Sequence, residues 1–448
     1  MDRRRFLKVL GGAAGATFAG LPIVRALADT PARKDDAFIV IHASGGWDVT
    51  LWSDPRNEPR GLVDPATEDV VDVEGVRLWT PRVIAGGKRG FEIVTRNGFP
   101  LGPTLGGLAD RFDRLTVVNG IAMETVSHPD GTYYSATGRH LAGGRPLQTS
   151  IDTILAGELG PDDLLPLISI NFPSTFLSRT LDARATPLRM ADVGAVGKSL
   201  YRTDRYTSAA DRDATTVLLA NEAAELATRS YDPIPAQRMR LQYEALARML
   251  RDRSLLDTFD DARLANVLQP AFFQDASGAR IARRFHAKAA LNAAFAVEAI
   301  KRGIVRCVSF AATGFDTHQQ NYADAPLMYQ ELFDVIATLI DRLDTERLSS
   351  RVHVLVVSEF CRTPQLNIRD GRDHYPNNSA LIISPRIRSN LVFGRTDPDQ
   401  LLPVSVLGGG EAARPIRPPD VLATVLRAVG VDPRKHLRDG EPIGELIR

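Results

Sequence analysis

The sequence predicts an α/β protein with a mostly parallel central sheet covered by helices on both faces. Three observations carry that expectation. Short apolar runs recur along the chain, too brief for helices and too uniformly apolar for strands with one wet face. Longer stretches with apolar residues three and four positions apart lie between them. Strand and helix therefore alternate, the pattern of parallel strands joined by helical crossovers.

Taken in order, residues 38–43 form the first expected strand, ended by Gly45-Gly46. Residues 115–120 and 165–170 are the second and third, 305–310 and 352–357 the next two, and 380–383 the sixth. Helices are expected at 216–231, 237–251 and 284–301, which are rich in Ala and Leu, and at 327–343. A last helix opens at Pro418-Pro419-Asp420 and runs to about residue 429, with proline where a first turn tolerates it. Residues 54–100 are polar and rich in Pro and Gly, as long loops or a small hairpin would be. Residues 182–275 read as a mainly helical insertion in an α/β domain spanning 29–448. No internal repeat or low-complexity tract is visible.

The 448 residues fit two or three domains, or one large α/β domain with an insertion. Hydrophobic residues at 44% and charged residues at 24% exclude a disordered chain. Lys plus Arg is 55 and Asp plus Glu is 54, a net charge of +1, so the basic surplus of a nucleic-acid partner is missing. Two cysteines, Cys307 and Cys361, exclude a disulfide scaffold and any cysteine-built zinc or iron–sulfur site. Nothing in the composition supports a bridge between them. Beyond the N-terminus no apolar run is long enough to span a bilayer, so no stable span is expected in the mature chain.

The N-terminus combines a charged start, an apolar Gly/Ala-rich stretch from Val9 to about Val24, and Ala26-Leu27-Ala28, a small-x-small cleavage pattern. Arg3-Arg4-Arg5-Phe6-Leu7-Lys8 resembles the twin-arginine export signal of bacteria. Residues 1–28 are thus expected to be a removed leader, the export machinery a partner, and the mature chain periplasmic or extracellular.

Five segments carry candidate chemistry, four of them just after an expected strand, where open parallel sheets bind ligands. Gly45-Gly46-Trp47-Asp48 puts a carboxylate at a strand tip. Gly314-Phe315-Asp316-Thr317-His318 spaces a carboxylate and an imidazole two apart, on one side of extended chain. Ser358-Glu359-Phe360-Cys361-Arg362 places Glu359 at a carboxyl end. In Gly371-Arg372-Asp373-His374-Tyr375 one residue supplies a ligand and its neighbour orients it. Ser127-His128-Pro129, followed by Tyr134 to His140, places a hydroxyl and an imidazole at a helix start. Each has a plainer reading when taken alone: a turn Asp, a hydrogen-bonded loop pair, a helix-start Glu, a solvated loop, a capped helix. His286, His353 and His436 read as structural.

Together these motifs resemble the bacterial family called domain of unknown function 1501. The match includes Gly45-Gly46-Trp47-Asp48, Phe315-Asp316-Thr317-His318, Ser358-Glu359-Phe360-Cys361-Arg362-Thr363-Pro364, Gly371-Arg372-Asp373-His374-Tyr375-Pro376 and the ending from Pro419 to Pro433. Cys361 departs from the pattern, which has Gly there. That family is related to the alkaline phosphatase and sulfatase superfamily. The resemblance implies a three-layer alkaline phosphatase-like fold and a metal-dependent hydrolase of phosphate or sulfate esters. Asp48, Asp316, His318, Glu359 and His374 are the expected metal ligands. His128 or waters would complete the shell of one or two ions. Thr137-Gly138-Arg139 is similar to the sulfatase Thr-Gly-Arg run, but counting back reaches Ser127 or His128 and no Cys, so formylglycine chemistry is excluded. The attacking group is the Ser127 hydroxyl, the His128 imidazole or a water on the metal. Arg362 or Arg139 is expected to grip the anion. Mixed imidazole and carboxylate donors suit zinc, manganese or iron better than calcium. A small anionic ester or a polysaccharide is the expected substrate. The other reading is an exported metal-bearing or surface-binding protein that keeps the fold without turnover.

Overall fold

The first apolar run becomes strand β1 (Ala37–Ser44), buried along nearly its whole length. In this computed structural model, residues 35–56, 68–73, 76–83, 89–90, 93–194, 208–229, 240, 243–245, 247, 255, 257–268 and 286–448 are described. The central sheet adds β2 (Leu115–Val118), β3 (Leu165–Ile170), β4 (Leu188–Met190), β5 (Val305–Thr313), β6 (Val352–Val357), β7 (Ala380–Ile383) and β8 (Leu391–Phe393). Its order is β8-β2-β7-β6-β1-β5-β3-β4. All neighbours pair in parallel except at β7, which is antiparallel to both β6 and β2. The expected mostly parallel sheet is present. The edge strands β4 and β8 escape a sequence reading because each is three residues long and only half-buried.

Side-chain alternation on β1 builds two separate cores. Ile39 and Ile41 join one, with the apolar faces of α4 (Ala287–Lys301) and α5 (Asn321–Thr345). Phe38 and Val40 join the other, with α1 (His128–Thr137), α2 (Ile151–Leu159) and α6 (Pro418–Ala428). Helices thus cover both faces, and the strands between them are apolar on both sides. α5 begins six residues before the expected start, with Asn321 and Asp324 interleaved among the buried Tyr322 and Ala325. Asp420 steadies the start of α6 by accepting from Arg417 N at 2.8 Å and pairing with Arg414 at 2.6 Å.

Within 54–100, Glu68–Val73 pairs with Val76–Val83, and Val94–Arg96 with Phe99–Leu101. Of the expected insertion, β4, a long helix, α3 (Ala209–Arg229), a short helix at Asp261–Leu264 and 3-10 turns at Ala183–Ala185 and Asp257–Phe259 are described. The helix expected at 237–251 falls largely outside the described residues, and the leader at 1–28 wholly so. No helix among the described residues is long and apolar enough to cross a membrane.

Candidate metal centre

The carboxyl ends of β1, β5 and β6 lie side by side, with Ser44 level with Thr313 and His42 level with Val357. Their exits touch. Gly45 has φ +122°, and a Cβ there would sit 2.4 Å from Asp316 N, so only glycine lets the two loops meet. A Cβ on Gly131 would lie 2.4 Å from the Glu359 carbonyl oxygen. That close approach brings the start of α1, and with it His128, against the loop after β6. Beyond β6 a short ribbon pairs Arg362 with His374 and Cys361 with Tyr375. The loop between these strands is stitched to the β5 exit: Arg372 N donates to Thr317 O, Gln320 N to Arg369 O and Asn321 N to Asp370 O.

Four side chains from these segments converge. One ligand atom each of His128, Asp316, His318 and His374 lies within 4.8 Å of the others. His318 Nε2 is 2.9 Å from His374 Nε2. Asp316 Oδ1 stands 3.1 Å from His318 Nε2, 3.6 Å from His128 Nε2 and 3.9 Å from His374 Nε2. The cluster is open to solvent, with the Asp316 side chain half exposed.

The opposite nitrogen of each ring is already committed. His128 Nδ1 meets Glu359 Oε1 at 3.0 Å, His318 Nδ1 meets Asp373 Oδ1 at 2.8 Å, and His374 Nδ1 meets the Val126 carbonyl at 2.7 Å. Those oxygens accept, so each Nδ1 carries a proton and each Nε2 is the ring nitrogen turned toward the cluster. Burial pushes the Asp316 carboxyl up, but the hydrogen bond and charge of Arg362, with His128 and His318 nearby, hold it below its ordinary value. For His374, burial and the neighbouring Arg362, His128 and His318 favour the neutral ring, against the pull of the Val126 carbonyl. The His318 hydrogen bond holds Asp373 low.

Several sequence expectations are corrected. Asp48 does not reach the cluster. Trp47 and Trp52, both fully buried, draw its segment into the core, and Asp48 becomes the cap of a short 3-10 turn. Its Oδ1 accepts from Thr50 Oγ1 at 2.6 Å, and its Oδ2 from Asn321 Nδ2 at 2.9 Å. The buried Arg372 lies 3.1 Å from Oδ2, so this carboxylate is spent on an internal ion pair. Glu359 stands behind His128 and is not one of the four converging groups. Burial pushes its carboxyl up, yet His128, His42 and the Gly45 N–H outweigh this and bring it to about 2. Arg362 is fully buried, with four of its five N–H donors taken by the Gly45, Gly46 and Arg372 carbonyls and by Asp316 at 2.5 Å, so it holds the site together rather than facing a substrate. Arg139 follows the far end of α1, about 15 Å along the helix from His128 at 1.5 Å per residue. Ser127 is exposed beside the cluster, and its hydroxyl makes no capping hydrogen bond. Cys307 and Cys361 are free thiols in opposite cores, which excludes a bridge between them.

The sequence does not reveal that Asp373 orients His318 and leaves His374 to the Val126 carbonyl. Adjacency to His374 was its one signal.

Among solved structures, the chain is similar to the PsFucS1 sulfatase from Pseudoalteromonas sp. at 11% identity, covering 92% of this chain and 73% of that one, with a TM-score of 0.35. It is similar to Ps i-CgsB, crystallised with k-i-k-neocarrahexaose, at 8% identity, with 91% and 74% covered and a TM-score of 0.35. The phosphonate monoester hydrolase SpPMH from Silicibacter pomeroyi is similar at 13% identity, with 91% and 75% covered and a TM-score of 0.37. Likenesses this low leave the fold to rest on this chain's own sheet. No curated protein matches the chain. The family model described as "Protein of unknown function (DUF1501)" matches residues 35–443, and the chain belongs to that family.

Proposed function

We propose that this chain is an exported, metal-dependent hydrolase of phosphate or sulfate esters, with one divalent cation held by His128, Asp316, His318 and His374. One observation carries the reading. His318 Nε2 and His374 Nε2 face each other at 2.9 Å while both Nδ1 protons are given to other acceptors. Two lone pairs so close repel unless a cation or an added proton lies between them. Three imidazoles and a carboxylate around one point are a donor set for zinc, manganese or iron and a poor one for calcium. Four donors within 4.8 Å of one another support one ion.

Bound there, the cation supplies Lewis acidity toward an ester oxygen. The chain's own groups do the rest. Arg362 keeps Asp316 ionised and in place. Glu359, Asp373 and the Val126 carbonyl fix the ring tautomers. With His128 turned inward, the Ser127 hydroxyl or a water remains as the attacking group. The leader-like residues 1–28 support export by the twin-arginine route.

The reading is tested with aryl phosphates, phosphodiesters and aryl sulfates, offered with zinc, manganese or iron and then with EDTA. Turnover that chelation abolishes and the ion restores is expected. One observation favours the second reading, an exported metal-bearing or surface-binding protein. Arg362 and Arg372 are spent inside the chain and Arg139 lies at the far end of α1, which leaves the cation to grip the anion without them. Tight metal binding with no turnover across the panel would decide for it.

A further inference from the structure

Three carboxylates belong to or border the cluster of four converging donors, in different electrostatic positions. Asp316 shares its Oδ1 with the buried Arg362 guanidinium at 2.5 Å, so its charge is offset within the chain. Asp373 is exposed, and water and salt screen it. Glu359 is 2% exposed. Its Oε1 takes hydrogen bonds from Gly45 N at 2.7 Å and His128 Nδ1 at 3.0 Å, and its Oε2 one from the Ser358 hydroxyl at 3.1 Å. Among the described residues no Lys or Arg pairs with it. His42 Nε2 comes within 3.7 Å of Oε2, but that ring is wholly buried, which favours its neutral form. An ionised carboxylate taken out of water is costly unless a cation compensates it.

The compensation is one ring away. His128 accepts the orientation that Glu359 imposes at Nδ1 and presents Nε2 to the cluster, 3.6 Å from Asp316 Oδ1. Phe360 packs against the same ring, its centroid 4.8 Å away, and excludes water from that side. We infer that Glu359 is the buried counter-charge of the cation that the cluster holds, a positioning residue that acts through His128 without touching the ion. The inference rests on the metal reading above and goes beyond it in saying where the charge that retains the ion resides. Asp316 is itself a donor and Asp373 backs His318 as Glu359 backs His128, yet the first is offset by Arg362 and the second is screened.

A counter-charge has opposite effects on the two states of the protein. It retains the ion when the ion is bound and destabilises the fold when it is absent. The test uses the full chain, stripped with EDTA and titrated with zinc or manganese ions against a chromophoric chelator, with melting curves for the stripped and loaded forms. Glu359→Gln is expected to weaken zinc binding about 10- to 100-fold. Stripped Glu359→Gln should melt at or above stripped wild type, and zinc should raise its Tm by less. Asp373→Asn should weaken binding less than Glu359→Gln does. In a His128→Ala background, Glu359→Gln should change the zinc Kd by less than about twofold, because its route to the ion is gone. Wild-type affinity in Glu359→Gln, or a stripped variant that melts clearly below stripped wild type, overturns the inference in favour of a structural role. If Glu359→Gln is not recovered folded, Glu359→Asp keeps the charge but withdraws it from His128; unchanged zinc affinity in that variant overturns it as well. Wild type that binds neither of these ions, nor ferrous iron in a parallel titration, overturns the metal reading itself, a result visible before any variant is made.

Discussion

The two ends of the central sheet use the same side-chain types to opposite effect. At the amino end, Asp36, His353 and Arg386 meet beneath β1 and β6. Arg386 donates to Asp36 Oδ1 at 3.1 Å, His353 Nε2 lies 3.2 Å from Asp36 Oδ2, and His353 Nδ1 is 2.8 Å from the Ser384 hydroxyl. One carboxylate, one imidazole and one guanidinium each face a complement. Burial pushes the Asp36 carboxyl up, but His353 and Arg386 more than offset it and keep it ionised. At the carboxyl end the complements point outward, to Glu359, Asp373 and the Val126 carbonyl, and like faces meet in the middle. In the first arrangement opposite kinds of group face one another. In the second, two imidazole nitrogens face each other at 2.9 Å, the feature on which the proposed cation rests. What marks a site is therefore the direction of the unspent lone pairs, since residue composition is shared by both ends.

The largest way to break this comparison is to remove an inward lone pair. His374→Ala should reduce metal recovered with the full chain to background by elemental analysis, with an unchanged far-ultraviolet circular dichroism spectrum. Metal retained at wild-type level would make the two ends alike. The amino end should respond in the other currency, that of stability. Asp36→Ala leaves Arg386 and His353 without their carboxylate and should cost about 3 kcal/mol, read from the urea midpoint, with zinc affinity untouched. A lowered zinc affinity would mean that the ends are coupled through the sheet. A third expected effect concerns an imidazole outside both clusters. His286 is 2% exposed and stacked on Phe315 at 5.4 Å, and burial lowers its pKa from 6.5 to about 4. The unfolded chain therefore takes up the proton first as pH falls. Stability is full above about 6.5 and is lost progressively down to about 4. His286→Gln should flatten the urea midpoint across that window, and an equally steep loss in the variant would assign the pH dependence elsewhere.

The sequence went far with the sheet and only part of the way with the site. Strands 165–170, 352–357 and 380–383 are read to the residue because buried parallel strands are continuous apolar runs between polar or Gly-rich loops. The pairing of Asp316 with His318 was also legible, since two residues apart in extended chain face the same way. Asp48 and Glu359 look equally good as strand-tip carboxylates. What separates them from Asp316 is the path of the backbone after the tip. Trp47 and Trp52 pull one into the core, and the approach of Gly131 sets the other behind His128. The arginines mislead for the same reason: a guanidinium beside a site motif reads as an anion grip until its donors are counted.

By itself, the order of residues determined the alternation of strand and helix, the rim where chemistry collects and the kinds of group available there, because those follow from local periodicity and from chain direction. Only the tertiary structure decided which groups face one another and which are spent, because that depends on contacts between segments hundreds of residues apart, such as His128 with Glu359 and Asp48 with Arg372. A hydrogen bond at one ring nitrogen fixes what the other can do, and no spacing along the chain records that bond.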